Sequence, residues 1–216
     1  MPSTEPSLRE RRRERTWNAI HSAARRLATE RGLKQTTAEV IAEEAGVSPR
    51  TFFNYFATKE DAVIGLRPPE MTEEILASVE ADSSEGLLAQ ASQLLAKVVY
   101  GSFGDDIVEV AKELVKDHEE LRQRLKIHML RCEQKLTDYL MGLDWPTYRS
   151  TGEFVPREPA ESEPDPEQEE RIRAVVLMAT AVLRYLEFGA RSTPEEYSAS
   201  IKSTVTLFST IVKEPR

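Results

Sequence analysis

Two short helices joined by a tight turn are predicted for residues 36–60, TTAEVIAEEAGVSPRTFFNYFATKE, and this stretch constrains the fold more than any other. Thr36 is expected to cap the first helix, and Glu39, three residues later, completes a capping box. Gly46 is expected to end that helix, because glycine adopts the left-handed conformation at low cost. Ser48 then caps a second helix that begins with proline. Such a pattern is typical of the helix-turn-helix, whose second helix lies in the DNA major groove.

Several groups of residues in and around this stretch carry a family resemblance. They are Ala23-Ala24, Glu30-Arg31-Gly32, Thr36-Thr37, Ile41-Ala42, Ala45-Gly46-Val47-Ser48, Thr51-Phe52-Phe53, Tyr55-Phe56 and Lys59-Glu60. With these groups, residues 9–65 resemble the DNA-binding domain of tetracycline-repressor-type (TetR family) transcriptional regulators. Beyond them the chain follows only the general plan of that family. The family usually has tyrosine where this chain has Phe53, so this position lacks the hydroxyl expected to bind a phosphate.

Charge is distributed unevenly along the 216 residues. The whole chain carries a net charge of −8, yet residues 1–60 hold 11 Lys and Arg against 8 Asp and Glu. A basic head on an acidic body is typical of a phosphate-binding module with a separate sensor domain. An excess of three positive charges also fits an ordinary solvated surface, so the motif decides the interpretation. The run LRERRRER at residues 8–15 is interpreted as a helix end near phosphates or, alternatively, as a solvated helix end with internal ion pairs.

Composition places the chain among globular proteins, with 40% hydrophobic and 31% charged residues. We expect no membrane-spanning helix and no signal peptide, because the sequence has no apolar run of about 18 residues and its start is polar. A single cysteine fits a reducing compartment, so we expect a cytoplasmic protein.

Apolar residues recur at helical spacing throughout, which predicts an all-α fold. The resemblance implies an N-terminal helix-turn-helix DNA-binding domain followed by a helical ligand-binding and dimerisation domain. We expect a disordered tail over residues 1–8, the DNA-binding domain over 9–66, and the effector-binding and dimerisation domain over 67–216. Four prolines and eight acids against one arginine between residues 151 and 170 predict an acidic mobile loop at about 145–165, as a lid or merely disordered.

Arg50 and Asn54 are expected to read base edges, because arginine suits guanine and asparagine suits adenine. Lys59 stands in the first turn of a helix, where a cation opposes the helix dipole, so we expect it to bind a phosphate. The resemblance implies phosphate contacts at several of the remaining positions. The full predicted DNA-binding set is Thr37, Ser48, Pro49, Arg50, Thr51, Asn54, Tyr55 and Lys59.

Two further sets are predicted in the second domain. Aromatic and methionine side chains suit an adaptable apolar pocket, although ordinary core packing explains each one singly. The predicted effector pocket consists of Tyr100, Phe103, Met129, Cys132, Trp145 and Met178. The two C-terminal helices are too apolar for a monomer surface unless the subunit's own core buries them, and the resemblance implies a four-helix dimer interface. Its predicted residues are Val182, Tyr185, Ile201, Val205 and Phe208.

Motifs for catalysis or cofactor binding are missing from the sequence, so we expect neither an enzyme nor a cofactor. His128 and Cys132 share a helix face, but two ligands are too few for a metal site. The resemblance implies a homodimeric repressor that a small, partly apolar effector releases from a palindromic DNA operator. The alternative is a DNA-binding architectural or partner-controlled module without a small effector.

Overall fold

A computed structural model describes residues 7–79, 86–103, 115–158, 165–187 and 194–213. Within these ranges the chain forms helices and no named strand, which confirms the predicted all-α class. The helices are α1 (Leu8–Arg31), α2 (Ala38–Glu44), α3 (Pro49–Tyr55), α4 (Lys59–Ile64), α5 (Glu73–Ser78), α6 (Leu87–Gly101), α7 (Glu119–Met141), α8 (Trp145–Thr151), α9 (Pro166–Glu187) and α10 (Pro194–Lys213). A 3-10 turn, Leu33–Gln35, lies between α1 and α2.

The first helix begins at a capping box that the sequence analysis missed. The Ser7 hydroxyl accepts a hydrogen bond from the Glu10 N–H (3.2 Å), and the Glu10 carboxylate accepts one from the Ser7 N–H (2.6 Å). Ser7 and Leu8, which the sequence assigned to a disordered tail, therefore cap and begin α1. Residues 1–6 of that predicted tail lie outside the described residues. The helix ends at Gly32, whose φ of 78° is a conformation that favours glycine.

Contacts divide the chain into two compact units, of which the first comprises Met1–Pro68 and Ser102–His128. Its core is built from the apolar stripe of α1 and the inner faces of α2, α3 and α4. Leu121, from the first part of α7, is fully buried in the same core, and Leu125 packs against it. The sequence analysis placed residues 102–128 in the second domain, because nothing in their own pattern shows which core they complete.

The second unit comprises Pro69–Gly101 and Met129–Arg216. In it α6 packs against both α9 and α10, and α5 packs against α6. Apolar side chains of α6, α7 and α9 fill the interior, among them Leu94, Leu95, Leu136, Leu140 and Ile172. Burying one leucine side chain stabilises a fold by about 1.5–3 kcal/mol, so the burial of these side chains stabilises the second unit.

The sequence predicts a mobile loop over 145–165, and the structure forms the helix α8 within the first part of this range. Asp144 caps α8 by accepting a hydrogen bond from the Thr147 N–H (3.2 Å), and Gly152 ends it in the left-handed conformation. Trp145 is buried, and its indole N–H donates to the Leu140 carbonyl (3.1 Å). The loop is predicted from the acidic, proline-rich composition of the residues that follow α8, and that composition does not describe the helix itself. Residues 159–164 of the predicted loop lie outside the described residues.

Candidate nucleic-acid interface

Thr37 caps α2, so the prediction that Thr36 is the cap is wrong. The Thr37 hydroxyl accepts a hydrogen bond from the Val40 N–H (3.4 Å). Thr36 is buried, and its hydroxyl donates to the Gly32 carbonyl (3.0 Å), which fixes the chain between α1 and α2. Glu39 is then the second helical residue and forms no capping box. Hydrogen bonds from its own backbone N–H and from the Thr37 hydroxyl lower the pKa of Glu39.

The turn between α2 and α3 has the geometry that its glycine predicts. Gly46 has a φ of 66°, its N–H donates to the Glu43 carbonyl (3.1 Å), and the Val47 N–H donates to the Ala42 carbonyl (2.9 Å). These two bonds form a Schellman motif, which stops α2 sharply. Ser48 then accepts a hydrogen bond from the Thr51 N–H (3.0 Å) and caps α3, as predicted.

The inner face of α3 is held by aromatic packing. Phe52 and Phe56 are almost completely buried, and their ring centroids are 6.0 Å apart. Trp17 of α1 packs 5.4 Å from Phe56, and the guanidinium of Arg67 lies 4.0 Å from the centroid of the Trp17 ring. Arg67 also donates two hydrogen bonds to the Glu14 carboxylate (2.6 and 3.0 Å). These contacts fix α3 against α1 and the end of α4.

The outer face of α3 carries the predicted base-reading side chains. Arg50 and Asn54 are both exposed and lie four residues apart, so they project from the same side of the helix. Pro49 is also exposed, whereas Thr51 and Tyr55 are partly buried at the flanks of this face. The Thr51 and Ser48 hydroxyls are 2.9 Å apart and form a hydrogen bond. The structure therefore brings this part of the predicted set together on one helix.

Lys59 has a partner within the chain that the sequence analysis did not foresee. Its ammonium donates a hydrogen bond to the Leu33 carbonyl (2.7 Å) and lies 4.0 Å from the Glu60 carboxylate. The bond joins the start of α4 to the 3-10 turn, and it explains a lysine at a position that the helix dipole disfavours. An ammonium has three N–H donors, so one bond to a carbonyl leaves donors for a phosphate.

The start of α1 carries a net positive charge, because five arginines outnumber its two glutamates. Glu10 belongs to the capping box, and the hydrogen bond with Ser7 lowers the pKa of its carboxyl. The hydrogen bonds from Arg67 lower the pKa of Glu14. The arginines of the same segment are exposed: Arg9, Arg11, Arg12, Arg13 and Arg15.

A buried ion pair supports this domain from outside the helix-turn-helix. The Arg124 guanidinium on α7 donates three hydrogen bonds of 2.6–2.9 Å to the Asp61 carboxylate on α4. Nearby, the Arg67 N–H donates to the Ser102 carbonyl (2.8 Å), and the Ser102 hydroxyl lies 2.6 Å from the His128 Nε2. Sequence reasoning missed these contacts because the partners lie 26 to 63 positions apart and belong to no recognisable motif.

The predicted effector-pocket residues are divided between the two units. Phe103 belongs to the first unit, where its ring meets that of His128 at a centroid distance of 5.7 Å. The other five belong to the second unit, in which Cys132 and Trp145 are buried and Tyr100 and Met178 are exposed. A cleft of about 460 Å³ in that unit contains none of the six and is lined by residues of α6 and α10.

The predicted dimer-interface residues divide into two groups. Val182 and Ile201 are buried within the chain's own second unit, so they are not available to a partner. Tyr185 is exposed, Val205 and Phe208 are partly buried, and the rings of Tyr185 and Phe208 meet at a centroid distance of 5.8 Å. The exposed apolar side chains on α9 and α10 include several that the sequence analysis did not assign to the interface: Leu177, Met178, Leu207, Ile211 and Val212.

Two other classes of site were sought in the described ranges. No group of three or more His, Cys, Asp or Glu side chains there is placed to hold a metal ion. Across the same ranges, no helix has the length and apolar character needed to cross a bilayer.

Two capped helices, a glycine turn and a polar outer face on the second helix define a helix-turn-helix DNA-binding fold. The family model "Bacterial regulatory proteins, tetR family" matches residues 20–63, which include α2 and α3. The similarity to this family is therefore shown for these residues of the N-terminal domain.

Similar proteins were found by sequence and by structure. The HTH-type transcriptional regulator TcmR of Streptomyces glaucescens is 35% identical over 105 residues, which are 48% of this chain and 46% of TcmR. The match therefore spans just under half the length of that relative. Thermus thermophilus FadR, a TetR-family repressor solved with lauroyl-CoA, is 20% identical with a TM-score of 0.39, covering 93% of this chain and 96% of FadR. A mutant of HlyIIR is 19% identical with a TM-score of 0.32, covering 88% and 95%.

Proposed function

We propose that the chain is a homodimeric, DNA-binding transcriptional repressor that a small effector releases from a palindromic operator. The observation that carries the proposal is the division of α3 into two faces. Phe52 and Phe56 fix one face to the domain, while Arg50 and Asn54 stand exposed on the other. A helix held rigidly on one side, with long polar side chains on the other, suits insertion into a major groove.

Each exposed side chain then has a defined role. Arg50 has the planar fork that fits guanine O6 and N7, and Asn54 has the amide that fits adenine N6 and N7. Pro49 offers an apolar contact at the start of the helix. We assign phosphate contacts to the hydroxyl and ammonium groups around this helix, which position the domain and do not specify sequence. They belong to Thr37, Ser48, Thr51, Tyr55 and Lys59.

Dimerisation is proposed from the apolar side chains that α9 and α10 leave in water. Four of these large apolar side chains are 41–67% exposed: Leu177 and Tyr185 on α9, and Leu207 and Ile211 on α10. Exposed apolar surface on two long helices of one unit marks an interaction site. A second copy is the proposed occupant, because a palindromic operator needs two reading helices related by a two-fold axis.

Regulation is proposed as a population shift. An effector that binds more tightly to a conformation with the two α3 helices wrongly spaced lowers the affinity for the operator. The second unit contains a buried amide suited to such a ligand. The side-chain oxygen of Gln168 accepts a hydrogen bond from Arg149 (3.4 Å), while its buried nitrogen meets no acceptor in the described part of the chain. A ligand carbonyl would satisfy that donor.

Selection from random DNA duplexes tests the function. We expect the purified chain to enrich an inverted repeat, with half-sites about one helical turn apart or a multiple of that spacing. Retention of duplexes without any enriched sequence would contradict sequence-specific regulation.

The oligomeric state is tested by sedimentation of two matched variants. Leu177 on α9 and Leu130 on α7 are exposed to similar extents, 67% and 62%. Leu177→Glu is expected to give monomers that lose operator affinity, because it places a charge in the proposed interface. Leu130→Glu is expected to remain dimeric. A dimeric Leu177→Glu would show that this face of α9 is not the interface.

A further inference from the structure

An exposed aromatic ring stands on the DNA-facing helix, and the contacts described above leave it without a role. Phe53 is 56% exposed. Within the continuous stretch 7–79, the structure exposes two large apolar side chains: Phe53 and Leu8, which lies in the first turn of α1. Phe53 is therefore the one large apolar side chain that this stretch exposes on the face of α3 with Arg50.

The fold of the domain explains where the ring points. Phe53 follows Pro49 by four residues and Arg50 by three, so it shares their side of α3. Its ring meets that of Phe52 edge-on, at a centroid distance of 5.2 Å and an interplanar angle of 87°. The contact with a buried neighbour restrains the ring beside Arg50, while more than half of the side chain remains in water.

The chemistry of the side chain limits what it can bind. A phenyl ring has no N–H or O–H, so it cannot donate a conventional hydrogen bond to a phosphate oxygen or to a base acceptor. In the major groove the apolar group on a base edge is the C5-methyl of thymine. Covering that methyl removes apolar surface of both partners from water, which is favourable.

We propose that Phe53 contacts the methyl group of a thymine, at the base pair next to the one that Arg50 reads. Phe53 is then a specificity-determining residue that selects thymine over cytosine at that position. The inference rests on the proposed function, because it requires α3 to lie in the major groove. It adds an apolar contact to the hydrogen bonds assigned to Arg50 and Asn54.

The test uses DNA that lacks the methyl group. Each thymine of the enriched site is replaced in turn by deoxyuridine, which keeps the base pairing and loses only the C5-methyl. We expect one replacement in each half-site to weaken binding by wild type about fourfold, the factor for one apolar carbon removed from water. In Phe53→Ala the same replacement is expected to have no effect. Ile127→Ala, which truncates another exposed apolar side chain of the first unit, is expected to keep the wild-type sensitivity.

Three results would overturn the inference and leave the proposed function intact. In the first, no deoxyuridine weakens wild-type binding by more than about twofold. In the second, Phe53→Ala retains the wild-type sensitivity. In the third, the enriched site has no thymine beside the position that Arg50→Ala relaxes. Failure to enrich any site would overturn both the inference and the proposed function.

Discussion

Replacing Arg124 with methionine should destabilise the DNA-binding unit more than any surface change. The substitution removes three hydrogen bonds from the Asp61 carboxylate and leaves that charge in a side chain that is 7% exposed. Breaking a buried ion pair by removing one partner costs about 3–5 kcal/mol. Asp61 lies in the first turn of α4, where the helix dipole favours a carboxylate by about 0.3–1 kcal/mol. We therefore expect a loss near the lower limit, about 3 kcal/mol, which changes the unfolding equilibrium more than a hundredfold.

Urea denaturation followed by tryptophan fluorescence measures this loss. The chain has two tryptophans, of which Trp17 is buried in the first unit, so a Trp145→Phe background reports on that unit alone. Glu30→Gln is the control, because Glu30 pairs with Arg26 at an exposed helical position of the same unit, where an ion pair contributes about 0.5 kcal/mol or less.

A double variant distinguishes the cost of an unpaired buried charge on Asp61 from the cost of the packing lost at Arg124. Asp61→Leu combined with Arg124→Met removes both charges, so it should be less destabilised than Arg124→Met alone. A loss below about 1 kcal/mol in the single variant would refute the reasoning, as would a double variant no more stable than the single one.

Two further predictions concern charges around the reading helix. Arg67 lowers the pKa of Glu14, so this pair adds stability above the ordinary glutamate pKa, and that stability is lost as pH falls through the lowered value. Glu14→Gln should therefore cost up to about 1 kcal/mol at neutral pH, because the group is largely exposed. The difference from wild type should diminish as pH falls below the ordinary pKa of glutamate, and a difference that stays constant in urea denaturation over that range would contradict the prediction. Lys59→Ala should weaken operator and random DNA alike and reduce the salt slope of binding by about one unit. A loss at one base position, with an unchanged slope, would exclude the phosphate role of Lys59.

Local signals in the sequence were sufficient for the helix-turn-helix. Gly46 and Ser48 each fix a helix end through bonds within a few residues, so the sequence predicts those ends correctly. Thr36 and Thr37 are adjacent hydroxyl residues, and both types can cap a helix. What decides between them is that Thr36 is buried against Gly32, and this depends on packing that local propensity does not contain.

Interactions between distant residues were not predictable in the same way. Asp61 and Arg124 lie on helices far apart in sequence. From the sequence alone, each is expected to be an ordinary charged residue on the surface. Lys59 was correctly recognised as misplaced for the helix dipole, but its carbonyl partner on the 3-10 turn depends on the path of the chain after α1. Val182 and Ile201 show the corresponding limit for apolar residues, because helical spacing does not distinguish a core position from an interface.

The most direct test of the central claim compares specific with non-specific DNA affinity. Kd is measured on the enriched site and on a scrambled duplex for wild type, Arg50→Ala and Asn54→Ala, with Arg131→Ala as a control for loss of an exposed arginine elsewhere. Asn54→Ala should lower the ratio of the two affinities by a factor of about 5 to 150 and leave scrambled binding unchanged. Arg50→Ala should lower the ratio similarly and also weaken scrambled binding, because it removes a charge near the phosphates. If both variants keep the wild-type ratio and consensus, α3 does not read the bases.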